Sequence, residues 1–321
     1  MKLYFIIVCY NNKDLLDTCL SSIQKQTLKD IGIIVVDNGS KDGSAEYIAS
    51  KYKEVDLIAL KDNQGFAIAN NIGIRKALEN TDCEYIALLN TDATVDKDWS
   101  KVLVEFAEKH PKSASLQTPT LDYFDHEILD SRGITIDPQG RPRQLGHREV
   151  YKKRDSHKVF GVNAAACIFT AAFLNKQVFN EDYFDHDMWM YLEDVDIAAR
   201  ATMSGWSNWY VTGSFAYHMG SASSGKNPGF SVFMSYRNNI PLLVKNLPTS
   251  YLIVALFGAI TTDIETLIKL GKSRNFIPIK AIVKGRLMSL KMIPLFMRKR
   301  RQFSQFRTIN KKSLKQLMRA I

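Results

Sequence analysis

Three carboxylates fall within four residues in Met190-Tyr191-Leu192-Glu193-Asp194-Val195-Asp196. The apolar residues 189–192 just before them make an environment that raises a carboxylate's pKa, so Glu193 or Asp194 can serve as a general base. At 100° per residue Leu192, Val195 and Ala199 share one helix face and Glu193, Asp196 and Arg200 another; a solvated face of weak ion pairs is therefore the plain alternative. A further acid, Asp92, closes Asn90-Thr91-Asp92 at the end of an apolar run. One carboxylate placed there can hold a hard divalent cation against phosphate oxygens, and the alternative is a turn that caps the next helix. His218, ahead of Met219-Gly220-Ser221, can complete such a shell as a neutral imidazole or serve only as structure. Arg237, at the opening of a late helix, offers a guanidinium to phosphate or to solvent.

These side chains need a scaffold, and the first hundred residues describe one. Residues 31–36 are an apolar run that ends in Asp37, with Asn38, Gly39 and Gly43 in the polar loop behind it. Such a run, bounded by turn residues, predicts a buried strand of a parallel sheet. In open α/β sheets ligands lie at the carboxyl ends of the strands, where Asp37 and Asp92 both fall. Strands are expected at 3–10, 31–36, 56–60 and 85–89. Helices are expected at 13–26, from near 43, and at 66–79. No G-x-G-x-x-G follows the first strand, where Asn11-Asn12 stands instead, so an ordinary dinucleotide-binding fold is disfavoured. Antiparallel strands and a mobile loop at 139–148, carrying Arg141, Arg143 and Arg148, are expected next. They precede a strand at 159–169, a helix at 190–203, a strand near 208–211 and a helical remainder from 231.

Charge divides the chain of 321 residues. From Thr266 to Ile321 there are sixteen Lys and Arg and no Asp or Glu, although the whole chain has 43 basic and 33 acidic residues. An acidic body with a basic tail implies an anionic partner for the tail. Ile279, Ile282, Val283, Leu287, Leu290 and Ile293 fall on one helical stripe and Lys280, Lys284, Lys291 and Arg298 on another, a pattern suited to an anionic membrane surface. A helix packed on its own domain is the alternative. Aromatic residues do not interleave with the cations, which argues against nucleic acid. Cys9, Cys19, Cys83 and Cys167 are far apart with no C-x-x-C pair, so neither a disulfide nor a thiolate zinc site is expected. The apolar residues 251–260 are too few to span a bilayer.

Taken together, these stretches resemble the inverting glycosyltransferase family 2, of GT-A fold, and its bacterial rhamnosyltransferase-like branch. The resemblance rests on 6–11, 35–44, Asn63-Gln64-Gly65-Phe66 leading to Asn70-Asn71-Ile72-Gly73, and 88–92. It continues through Phe184-Asp185, Tyr191 to Asp196 with Arg200, 218–221 and Arg237-Asn238. It implies a doubly wound, mostly parallel sheet in 1–230 with a basic helical extension at 231–321. It also implies a nucleotide-sugar donor contacted by Cys9, Tyr10, Asn11, Asp37, Asn38, Gly65, Asn71, Asn90, Thr91 and Arg237. Asp92 and His218 would hold Mg²⁺ or Mn²⁺, and Asp194, with Glu193 beside it, would be the base. Asn90 stands at the first acidic position of the family's D-x-D motif. The implied activity is transfer of a sugar, first rhamnose from dTDP-rhamnose, to a hydroxyl of a lipid-linked or cell-surface glycan at the cytoplasmic face of the membrane. A UDP-hexose donor is the alternative; a sugar nucleotidyltransferase or a basic-tail binding module stands further back.

Overall fold

The computed structural model describes residues 1–176, 182–220, 229–309, 314–316 and 318. Its first part alternates as expected: β1 (Leu3–Cys9), α1 (Lys13–Gln24), β2 (Ile31–Asp37), α2 (Ser44–Lys51), β3 (Asp56–Ala59), α3 (Gly65–Leu78) and β4 (Tyr85–Leu89). β1 pairs in parallel with β2 and β4, and β2 with β3. Strand period 2 sends successive side chains to opposite layers. Phe5, Ile7, Ile33 and Val35 pack with Leu16 and Leu20 of α1. Ile6, Ile34 and Val36 pack with Ala67 and Ile74 of α3. Helices on both faces explain why these strands are almost wholly apolar.

The middle of the chain supplies β5 (Ala93–Val95), α4 (Trp99–Lys109), β6 (Ser113–Gln117), β7 (Thr120–Asp122), β8 (Leu129–Ser131), β9 (Ile134–Ile136) and β10 (Pro142–Gln144). It continues with β11 (His157–Val159), β12 (Ala166–Thr170), α5 (Ala171–Leu174), α6 (Glu193–Met203), β13 (Ser207–Tyr210) and β14 (Ala216–His218). The large sheet runs β11-β13-β6-β12-β4-β1-β2-β3, and all its strands but β11 and β12 point one way. A smaller sheet runs β5-β14-β7-β8, and its strand β5 follows directly on the carboxyl end of β4.

Three expectations are corrected here. The strand expected at 159–169 is two strands, because the Asn163 side chain accepts from the Ala165 N–H and turns the chain between them. The loop at 139–148 is a docked hairpin arm: β10 pairs with β9, and Asn239 donates to the Gly140 carbonyl at 2.9 Å. A Cβ on Gly140 would lie 2.8 Å from Ala255 and one on Gly258 2.7 Å from Gln139, so two glycines let the arm and a later helix touch. The helix expected from 190 begins at Glu193, because Trp189, Tyr191 and Leu192 all have positive φ.

The remainder forms α7 (Phe230–Asn246), α8 (Thr249–Lys272) and α9 (Phe276–Ser304). Helix α8 has 24 residues and is apolar enough to cross a bilayer, which corrects the view taken from 251–260 alone. The helix simply continues through Asp263, whose charge is taken up by Arg286 of α9 at 2.6 and 2.9 Å. Its outer face leaves Ile253, Phe257, Ile260, Ile264 and Ile268 exposed. The stripe expected on α9 is divided. Ile282 packs inward beside the small residues Ala281, Gly285 and Ser289, whereas Val283, Leu287 and Leu290 face outward among the lysines. Ser221, and the tail beyond 309 apart from 314–316 and 318, lie outside the described residues.

Candidate active site

A cavity of about 910 Å³ opens at the carboxyl ends of β1, β2 and β4. Tyr10, Asn38, Asn90, Thr91, Asp92, Glu193, Asp194 and His218 are on its walls. The remaining residues expected to contact a donor are outside the lining. Cys9 is wholly buried in β1, with burial pushing its thiol up to about 11. Asn11 accepts from the Lys41 N–H and shapes the loop. Asn71 clamps residues 182–184 by donating to the Phe184 carbonyl and accepting from the Phe184 N–H. Gly65 has φ +84°, and a Cβ there would meet the Trp189 ring at 2.6 Å. Arg237 donates to the carbonyls of Asp187 and Met188, behind the site. Asp37 is buried just beneath the lining; one carboxylate oxygen accepts from the Ser40 N–H, and Oδ2 has no partner among the described residues. A buried acceptor left open costs free energy unless a ligand N–H completes it.

Asp92 and His218 are brought together by backbone pairing. β14 lies antiparallel to β5 with His218 opposite Ala93, and the Met219 N–H donates to the Asp92 carbonyl. His218 Nε2 lies 3.3 Å from Asp92, and Nδ1 lies 3.0 Å from Asp130 on β8. Burial disfavours the charged ring, but the two carboxylates outweigh it and raise the His218 pKa to about 10. Asp130 went unnoticed in the sequence. Its signal was the pattern Leu129-Asp130-Ser131, where the two neighbours are buried and the acid points to the other face. Asp92 and the Nε2 edge of His218 suit Mg²⁺ or Mn²⁺, with Asp130 orienting the ring through Nδ1. Among the described residues no three such groups are already arranged about a cation position. His218 would ligate only after giving up its proton, so the donor set fits the ion while the ring is here engaged elsewhere.

Glu193 and Asp194 open α6, and their environments separate them. Glu193 is buried with Oε2 unpartnered among the described residues; burial first, and the Asp194 charge second, push its pKa up to about 8. Asp194 is only partly buried, accepts from the Val195 N–H at 2.7 Å, and is raised to about 6 by burial. Burial thus disfavours charge on both carboxyls, and of these two cavity-lining groups Asp194 is the more exposed. The linkage also has a sign. Glu193 binds its proton more tightly folded than unfolded, so stability falls as pH rises from about 4.5 towards 8. Glu193→Gln is expected to remove that slope and to melt above wild type at pH 8, a comparison that thermal denaturation at pH 5 and pH 8 makes directly.

The left-handed residues ahead of these acids are strained, each costing on the order of 1–3 kcal/mol. Asn238 of α7 holds them: its amide donates to the carbonyls of Met188, Met190 and Tyr191 at 2.8, 3.0 and 2.7 Å. Asn238→Leu keeps the volume and removes these donors. It is expected to lower kcat at least about tenfold with a stability loss of about 1–3 kcal/mol; unchanged kcat would detach this turn from catalysis.

Farther along α6, Asp196 and Arg200 are fully buried, not on a solvated face. Asp196 accepts from Arg200 Nε at 2.9 Å, Lys245 Nζ at 2.9 Å and Asn246 at 2.8 Å. Lys245 also donates to Asp185 at 2.6 Å, and Lys299 of α9 joins the same carboxylate. Burial opposes charge on Asp185, yet the two lysines hold its pKa well below the usual carboxylate range. This network fastens α7 and α9 to the helix that carries Glu193 and Asp194.

The chain is similar in sequence and in fold to known proteins. A profile of the family "Glycosyl transferase family 2" matches residues 4–182. The chain belongs to that family. It is similar to poly-β-1,6-N-acetyl-D-glucosamine synthase of Staphylococcus aureus, 26% identical over 206 residues, 63% of this chain and 46% of the relative; the match thus spans about half of that protein's length. It is also similar to N-acetylglucosaminyl-diphospho-decaprenol L-rhamnosyltransferase of Mycobacterium tuberculosis, 23% identical over 244 residues, 70% of this chain and 78% of the relative. In fold it resembles a mannosyltransferase from Pyrobaculum calidifontis crystallised with GDP-Man and Mn²⁺, with TM-score 0.56, 13% identity, and coverage of 95% of this chain and 85% of that one. The fold is thus of the GT-A type.

Proposed function

We propose that this chain is an inverting glycosyltransferase that moves a sugar from a nucleotide-sugar to a hydroxyl of a lipid-linked or cell-surface glycan. The observation that carries the reading is one cavity walled by Asp92, His218 and Asp194 at the carboxyl ends of parallel strands. The unpartnered oxygen of Asp37 is suited to accept an N–H from the nucleotide base, beside Asn38. Asp92 and His218 would hold a divalent cation, which supplies charge neutralisation to the departing diphosphate. Asp194 takes the proton of the acceptor hydroxyl while that oxygen bonds to the anomeric carbon. The bond to the diphosphate oxygen breaks on the opposite side, its electron pair leaving with the diphosphate, so configuration inverts. Glu193 sits beside Asp194, its charged form disfavoured by burial. Rhamnose from dTDP-rhamnose is the first donor, on the likeness to the mycobacterial rhamnosyltransferase. A UDP-hexose is the second, on the likeness to the poly-N-acetylglucosamine synthase. The exposed apolar faces of α8 and α9, among the cations of residues 266–321, support a peripheral seat on an anionic membrane at its cytoplasmic side.

Incubation of the protein and Mn²⁺ with dTDP-rhamnose, UDP-hexoses and GDP-mannose, each with a lipid-linked N-acetylglucosamine acceptor, tests this. Transfer with inverted anomeric configuration is expected for one donor, with kcat/KM lost as pH falls below about 6, where Asp194 takes up a proton. Retention of configuration would contradict the single displacement.

A further inference from the structure

Resting on the lipid-linked acceptor above, we propose that a second cavity, next to the first, binds the diphosphate of that acceptor. It measures about 510 Å³ and lies between the hairpin arm and helices α7, α8 and α9. Pro142, Arg143 and Leu192 line both cavities, and Leu192 immediately precedes the acidic pair. A group bound here is therefore a neighbour of the reacting centre.

The charges favour a phosphate. Arg141 and Arg143 both direct Nε to the same buried oxygen of Asp137, at 2.6 and 3.3 Å. Two guanidinium groups on one carboxylate leave a positive surplus, and the terminal nitrogens of Arg143 have no partner among the described residues. Lys269 adds a cation on the α8 wall and Glu265 an opposing charge, while Asp263 is already neutralised by Arg286. The arm that carries the two arginines is held by the Gly140–Ala255 and Gly258–Gln139 approaches, so the site is formed before a ligand arrives. A free, planar fork suits phosphate oxygens.

Helix α8 gives the ligand its other feature. Ala259, Thr262, Asp263 and Thr266 turn towards the cavity, and the exposed row of Phe257, Ile260, Ile264 and Ile268 is on roughly the opposite side. The cavity thus lies one helix diameter, about 10 Å, behind an apolar surface. A diphosphate joined to a hydrocarbon chain at one end and a sugar at the other matches that order: chain at the apolar surface, diphosphate at Arg141 and Arg143, sugar towards Asp194.

The test titrates farnesyl diphosphate into the full chain with the first cavity saturated by nucleoside diphosphate, and inorganic pyrophosphate alongside. Farnesyl diphosphate is expected to bind, pyrophosphate more weakly. Arg141→Gln is expected to weaken farnesyl diphosphate at least about tenfold without altering nucleotide affinity, and Arg141→Lys to restore part of the loss. Should Arg141→Gln fail to fold, Lys269→Gln carries the same comparison. Displacement of the probe by nucleotide, an unaffected Arg141→Gln, or pyrophosphate binding as tightly would each overturn the proposal. Wild type that binds nucleotide but no farnesyl diphosphate defeats this site alone; wild type that binds no nucleotide defeats the transferase reading beneath it.

Discussion

Asp194→Asn is expected to lower kcat at least about a hundredfold while leaving donor KM within about twofold of wild type. Loss of a general base ordinarily costs two to four orders of magnitude. The substitution is nearly isosteric, and the oxygen that accepts from the Val195 N–H is retained, so the helix start should hold. The neighbouring carboxyl, Glu193, is buried, and burial favours its protonated form, so it is a poor substitute base. A steady-state comparison of the two proteins separates the cases, because full turnover in Asp194→Asn would pass the role to a different group.

Lys245→Met should be the most destabilising single change among these. Lys245 is buried and bridges Asp185 and Asp196, which are themselves almost wholly inaccessible. Methionine fills similar space but leaves two buried carboxylates with one fewer counter-ion, and breaking such a network costs about 3–5 kcal/mol. The expected result is a large drop in the urea midpoint, with α7 and α9 loosened from α6. Replacing Asp196 by Asn in the same background should recover part of the loss, since the surplus negative charge is then removed. A midpoint unchanged from wild type would mean the network contributes little.

The parallel half of the fold was legible because its strands are continuous apolar runs and its helices carry periodic faces; β4 was placed residue for residue. The site was partly legible for the same reason: Asp92 and Asn38 follow strands, and strand ends are where ligands lie. What escaped the sequence depends on tertiary contact. Asp130 becomes a partner of His218 only when β7 pairs with both β8 and β14 in the small sheet. The residues 189–192 have a good helical pattern, yet Trp189, Tyr191 and Leu192 have positive φ, and Asn238, fifty residues away from Met188, ties the turn through the carbonyls of Met188, Met190 and Tyr191. The arm at 139–148 has the composition of a loop, and the close approaches of Gly140 to Ala255 and of Gly258 to Gln139 set it against α8 as a wall. Asp196 and Arg200 have surface spacing on α6, but Lys245 and Asn246 arrive from α7 to bury them.

Isothermal titration of UDP, dTDP and GDP with Mn²⁺ present, into wild type, Asp92→Asn and Asp194→Asn, tests the central claim most directly. Stoichiometric binding of at least one nucleotide is predicted, weakened at least about tenfold by Asp92→Asn, as loss of a charged contact commonly does, and left intact by Asp194→Asn. Binding that survives Asp92→Asn undiminished, or no binding of any nucleotide, would contradict a donor site in the cavity that Asp92, Asp194 and His218 share.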